Sequence, residues 1–187
     1  MRCFIRSGGL TSFGEIMQAL VLAGGRSSRM GRDKSLIQIN GKSLIRITFE
    51  RLIDSGQSTI LVMASDEVQE SRQRSSAGDL AHGGVWGRAN VPYSGMSEAV
   101  LKAMSDETLD PTKPLQISSV DSPWLRKELY QKLRMNLTND VDIVVPRDKI
   151  IHPLHALFRV EALAAELSPV AGPLKHQIQR MRWRAVD

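Results

Sequence analysis

The chain has 187 residues, of which 42% are hydrophobic, 24% charged and 5% aromatic; 25 basic against 20 acidic residues give a net charge of +5. That length buries the core of one domain, the few aromatics make a poor stacking surface for single-stranded nucleic acid, and the basic balance suits an anionic partner. The single cysteine, Cys3, excludes an internal disulfide and fits a reducing compartment, and no run of about eighteen apolar residues offers a membrane span.

Residues 1–16 carry Arg2 and Arg6 without a sustained apolar stretch, which is not the pattern of a secretory signal. They read as a disordered tail, as an upstream start with Met17 the functional one, or, having no acid before Glu15, as an organelle transit segment. Residues 17–187 read as one domain.

The first ordered element is the apolar run Ala19-Leu20-Val21-Leu22, short and continuous as a buried strand requires. It opens onto a loop with three glycines and four cations, Arg26, Arg29, Arg32 and Lys34. Backbone N–H groups exposed in such a turn make a concave anion site, and glycine lets a ligand approach closely. Two readings stand here: a nucleotide-phosphate cradle, or a flexible basic loop after an edge strand. Residues 37–42 follow as a short extended piece closed by the Asn40-Gly41 turn. Ser43 caps a helix over 44–55 that Gly56 stops. Residues 59–63 form a parallel strand, and Asp66 caps a polar helix reaching towards Arg74. From 75 to 91 the pattern fails, except for a strand-like Val85-Trp86.

Residues 95–104 carry a helical face with glycine at its start, and 115–118 resume strand character before Val120-Asp121-Ser122-Pro123. A helix over 125–135, strands over 141–146 and 152–159, a helix over 160–167 and a last strand over 183–186 complete the chain. Strands and helices alternate on the scale of βαβ units, which predicts an α/β fold: an open, mostly parallel sheet with helices on both faces. In such sheets ligands sit at the carboxyl ends of strands, so residues 23–34 and 119–123 are expected in one crevice. A carboxylate at that edge, Asp121, is placed to hold Mg²⁺ together with substrate phosphates; the alternative is a cap for the helix from Leu125. His152 and His155 are expected as surface or core histidines rather than metal ligands, and Trp86, Trp124 and Trp183 as packing residues.

The loop Leu22-Ala23-Gly24-Gly25-Arg26-Ser27-Ser28-Arg29-Met30-Gly31-Arg32-Asp33-Lys34 closely resembles the signature of the MobA-like nucleotidyltransferases, LAGG-x-S-x-RMG-x-DK, and among them the molybdenum cofactor guanylyltransferases. Val120-Asp121-Ser122-Pro123 resembles the family's second motif, and His152-Pro153-Leu154-His155-Ala156-Leu157 a third. The resemblance covers about residues 18–187. It implies a three-layer, Rossmann-like sheet of the nucleotide-diphospho-sugar transferase type and the transfer of GMP from GTP to the terminal phosphate of molybdopterin. It also implies roles: Leu22 and Ala23 wall the base pocket; Gly24, Gly25 and Ser27 face the triphosphate and guanine; Arg29 meets the leaving pyrophosphate; Lys34 meets the α-phosphate; Asp121 carries Mg²⁺. Gly95 belongs to the nucleotide site, and His152 borders the pterin side. In the related cytidylyltransferases the second loop glycine tends to be alanine, so Gly25 points to a purine. The implied partners are GTP, molybdopterin or molybdenum cofactor, and proteins that accept or insert the cofactor. No nucleic acid or membrane partner is implied, and the setting is cytoplasmic.

The sequence departs from the family after the third strand, where residues 85–96 keep Gly95 but put Tyr93-Ser94 in place of Leu-Ala and lack an aspartate at the expected distance. Past Asp187 the family continues into an Asn-x-Asn-Thr-Pro segment, so the domain is expected to lack a final strand and helix. Three functions stay open: guanylyl transfer, the same reaction with CTP or another acceptor, and GTP binding without turnover.

Overall fold

A computed structural model describes residues 17–25, 31–89 and 95–187. Nine strands are described: β1 (Met17–Leu22), β2 (Gln38–Ile39), β3 (Lys42–Ser43), β4 (Gln57–Ala64), β5 (Val85–Arg88), β6 (Pro114–Ser119), β7 (Ile143–Pro146), β8 (Leu157–Arg159) and β9 (Trp183–Val186). The helices are α1 (Leu44–Asp54), α2 (Glu67–Ala77), α3 (Met96–Met104), α4 (Lys127–Asn136), α5 (Val160–Glu166) and α6 (Leu174–Gln177). Seven strands form one sheet in the order β5-β4-β1-β6-β8-β7-β9, parallel except that β8 runs against both neighbours. This is the mostly parallel α/β sheet that the alternation of elements predicts.

Side chains alternate across the central strands, which is why these segments read as unbroken apolar runs. Leu20, Leu61, Ile117 and Ile143 face one side and pack with Val100 and Ala103 of α3, Leu163 of α5 and Leu174 of α6. Ala19, Val21, Ile60 and Val62 face the other and pack with Ile45, Phe49 and Leu52 of α1 and Tyr130 of α4. The result is three layers with a buried sheet between them.

Local signals hold where they were strong. Ser43 caps α1 through its hydroxyl, which accepts from the Arg46 N–H. Asp66 does the same for α2 through Gln69. Asn40 and Gly41 both adopt positive φ, 51° and 76°, as a two-residue turn between β2 and β3 demands.

Other expectations are corrected. Residues 152–159 are not one strand: Pro153 has no N–H to pair, and a 3-10 turn over Pro153–His155 leaves only Leu157–Arg159 in the sheet. The helix expected from 125 starts at Lys127, because a tight turn from Ser122 to Leu125 (Leu125 N–H to Ser122 O, 3.3 Å) comes first. The stretch after 168 holds α6 and a 3-10 turn that bury Leu174 and Ile178, an apolar pair four apart. Trp86 packs as expected, stacked on Phe49 with ring centres 5.7 Å apart, but Trp124 is 74% exposed and packs into no core. Among the described residues no helix is long and apolar enough to cross a membrane.

Candidate active site

Register sets the position of the site. Leu22, the last residue of β1, pairs with Met63 on one side and Ser119 on the other, so the carboxyl ends of β1, β4 and β6 lie level. The residues that follow these ends meet in one cleft of ≈ 390 Å³, a size suited to a small ligand. It is lined by Leu22, Ala23, Gly24, Gly25, Lys34, Gly95 and Asp121, which are all the predicted nucleotide-site residues that the structure describes. Ser27 and Arg29 lie outside the described residues, as do Arg26 and the Tyr93-Ser94 departure.

The two loop glycines have different surroundings. A Cβ on Gly24 would sit 3.0 Å from Ser65 Oγ and 3.1 Å from Ser65 N, because the loop leans on the end of β4 there. Ser65 also donates its hydroxyl to the Gly24 carbonyl. Among the described residues, a Cβ on Gly25 would meet nothing within 4 Å. Gly24 is thus a close backbone contact, while Gly25, which lines the cleft, is not crowded by the described residues.

Lys34 opens a 3-10 turn, Lys34–Leu36, and its two sequence neighbours are held by hydrogen bonds. Asp33 Oδ1 accepts from the Ser35 N–H at 2.9 Å and the Ser35 hydroxyl at 2.6 Å, and Asp33 Oδ2 accepts from Gln69 Nε2 at 2.9 Å. Gln69 Oε1 takes the Ser65 N–H at 2.8 Å. Gln73, fully buried, donates through Nε2 to the Ala23 carbonyl and to Ser35 Oγ, both at 3.0 Å. Sequence reasoning missed Gln69 and Gln73. The available signal was two glutamines four apart on α2, which share one helix face.

Asp121 does not cap α4, whose N-cap is Arg126. Its Oδ1 accepts from Ser119 Oγ at 2.7 Å, and among the described residues no hydrogen bond reaches Oδ2. Asp33 also lines the cleft, but both its oxygens are engaged in holding the loop. Asp121 is therefore the carboxylate suited to a cation. Among the described residues no three His, Cys, Asp or Glu side chains gather as a metal cage, so such a cation would complete its shell with ligand oxygens and water.

The Asp121 loop is braced from below. His155 is 5% exposed, and its Nε2 lies 2.8 Å from Ser122 Oγ. Burial pushes its pKa down to about 4, against the pull of the Asp121 charge, so the imidazole is neutral. His152 instead pairs with Asp148 at 3.0 Å, outside the cleft lining; Leu154, between the two histidines, is the residue of that turn that borders the cleft.

The far wall is fixed at the end of β5. Glu70 accepts from Arg88 Nε at 2.6 Å and Arg74 Nε at 2.8 Å. Burial alone would raise the Glu70 pKa, but the two guanidinium contacts outweigh it and hold the carboxyl below its ordinary value. The Arg74 guanidinium also lies 5.2 Å from the Trp86 ring centre. This cluster anchors Arg88 one residue before Ala89, which lines the cleft.

A model of the MobA-like NTP transferase domain matches residues 19–182. A probable molybdenum cofactor guanylyltransferase from Peptoclostridium acidaminophilum is 28% identical over 148 residues, 75% of this chain and 61% of the relative. A molybdenum cofactor guanylyltransferase from Vibrio vulnificus is 29% identical over 134 residues, 69% of this chain and 60% of the relative. The chain thus spans about three fifths of the length of these curated relatives. Among solved structures, molybdopterin-guanine dinucleotide biosynthesis protein A from Archaeoglobus fulgidus superposes with a TM-score of 0.67 at 19% identity, covering 91% of this chain and 83% of that one. A nucleotidyl transferase from Methanothermobacter reaches 0.75 at 14% identity, covering 92% and 87%. At such identities the structural likeness is one of fold.

Proposed function

The chain belongs to the MobA-like NTP transferase family, and we propose that it transfers GMP from GTP to the terminal phosphate of molybdopterin, releasing pyrophosphate. The observation that carries this reading is the convergence of Gly24, Gly25, Lys34, Gly95 and Asp121 on one cleft at the carboxyl edge of the sheet. The guanylyltransferase names of the relatives support guanine as the base and the molybdenum cofactor as the acceptor.

In this reading an acceptor phosphate oxygen bonds to the α-phosphorus of GTP while the bond to the bridging oxygen breaks, and pyrophosphate leaves with that oxygen. Such a step needs position and charge neutralisation more than covalent help. The open side of Gly25 receives the nucleotide, with Leu22 and Ala23 as the wall of the base pocket. Lys34 neutralises the α-phosphate as charge moves, and Arg29 the departing pyrophosphate; Ser27 adds a contact from the same loop. Asp121 fits a Mg²⁺ shared with the phosphates, because one of its oxygens is held by Ser119 and the other is not engaged by the described residues. A bound Mg²⁺ supplies further neutralisation of phosphate charge. The reaction is placed in the cytoplasm, where a lone thiol stays reduced, and its product passes to a protein that accepts or inserts the cofactor.

The test is direct: the purified chain with GTP, molybdopterin and Mg²⁺ releases pyrophosphate and forms the guanine dinucleotide, EDTA stops the reaction, and CTP substitutes poorly. Absence of pyrophosphate release with every nucleoside triphosphate overturns the reading.

A further inference from the structure

We propose that Gln73 is a positioning residue for Lys34: its buried amide ties the two ends of the glycine loop together and so fixes where the lysine stands. The inference rests on the nucleotide reading of the cleft. Gln73 lies on α2, outside the loop, and is completely buried. Both donors of an amide NH₂ are needed to make two bonds, and Gln73 Nε2 makes one to the Ala23 carbonyl at the start of the loop and one to Ser35 Oγ at its end. Every residue assigned to the phosphates in the loop, Gly24 to Lys34, lies between those two points.

A neighbouring contact of the same kind makes the tie rigid. Gln69, one helical turn earlier, links Ser65 at the end of β4 to Asp33, and Asp33 in turn holds Ser35. Residues 33 and 35 are therefore both pinned to α2 through their side chains, and Lys34 stands between them. Gln73 Oε1 is buried and has no hydrogen-bond partner among the described residues, an unfavourable feature that an apolar side chain of the same size would avoid. What the amide supplies in return is the pair of donated bonds. Side chains that lock a functional group in this way act on geometry without touching the ligand.

If Gln73 acts through Lys34, the two must be coupled, and a double-mutant cycle reads that coupling. Gln73→Met keeps length and removes both donors. GTP affinity, measured by calorimetry with Mg²⁺, is expected to fall about tenfold on Gln73→Met in the unaltered chain but less than twofold in a Lys34→Ala background. Ser35→Ala, which removes the acceptor of one Gln73 bond together with the hydroxyl's own bond to Asp33, moves affinity in the same direction and is likewise muted beside Lys34→Ala; it serves if Gln73→Met does not fold. An equal loss in both backgrounds, or a lowered Tm with unchanged GTP affinity, overturns the inference and leaves the nucleotide reading standing. No GTP binding by the unaltered chain overturns the reading itself, and the inference with it.

Discussion

Lys34→Ala is expected to slow pyrophosphate release by on the order of 10²–10³-fold, the usual cost of removing one preorganised charge from a transfer site. Asp121→Asn is expected to cost a similar factor, on the order of 10²–10³. Both changes should leave the fold intact. Lys34 is half-buried, and its turn is held by the hydrogen bonds of Asp33 and Ser35. Asparagine at 121 keeps an oxygen for the Ser119 hydroxyl and removes the charge alone. The two effects should also differ in kind: raising Mg²⁺ restores part of the Asp121→Asn loss and none of the Lys34→Ala loss. Pyrophosphate release within threefold of the unaltered chain, measured for Lys34→Ala under saturating GTP, would remove the lysine from the chemistry.

The second large effect is on stability and comes from His155. Its folded pKa of about 4 lies below the ordinary histidine value of 6.5, and burial is the leading cause. Between those values the unfolded chain binds the extra proton and the folded chain does not. Stability from this group is therefore complete above pH 6.5 and is lost as pH falls towards 4, by about 3 kcal/mol across the window. The lowered carboxyl of Glu70 acts further down, since its ordinary value is 4.5. Urea unfolding at pH 7 and pH 4.5 is the measurement. Gln in place of His155 keeps a hydrogen-bonding partner for Ser122 and cannot titrate, so His155→Gln should flatten the profile across that interval. An equally steep fall in His155→Gln would assign the acid sensitivity elsewhere.

Most of the frame was legible because its signals are local. The run before Gly24, the Asn40-Gly41 turn, and the Ser43 and Asp66 caps each involve a few adjacent residues, and each sits where those residues require. The strand-end rule then brought Gly25 and Asp121 to one cleft without knowledge of the pairing. What escaped depends on contacts distant in sequence. The direction of β8 is set by its pairing with β6 and β7, and Pro153 breaks the apparent run that leads into it. Gln69 and Gln73 escaped within a polar helix, because nothing in α2 itself shows that their face lies against loop backbone. Trp124 failed in the opposite sense: an aromatic residue suggests packing, but a turn after Ser122 leaves it exposed.

The nucleotide reading depends most on the open side of Gly25, and the two loop glycines offer a matched test. Gly24→Ala pushes a methyl to within 3.0–3.3 Å of Ser65 and Ala64 and should cost about 1–3 kcal/mol of folding stability. Gly25→Ala meets no atom of the described residues within 4 Å, so the added methyl should leave Tm unchanged and obstruct what enters the cleft. Calorimetric titration of Gly25→Ala with GTP and Mg²⁺ is predicted to show affinity reduced at least tenfold with Tm within a degree or two of the unaltered chain. Full GTP affinity in that variant would contradict the placement of the nucleotide beside Gly25.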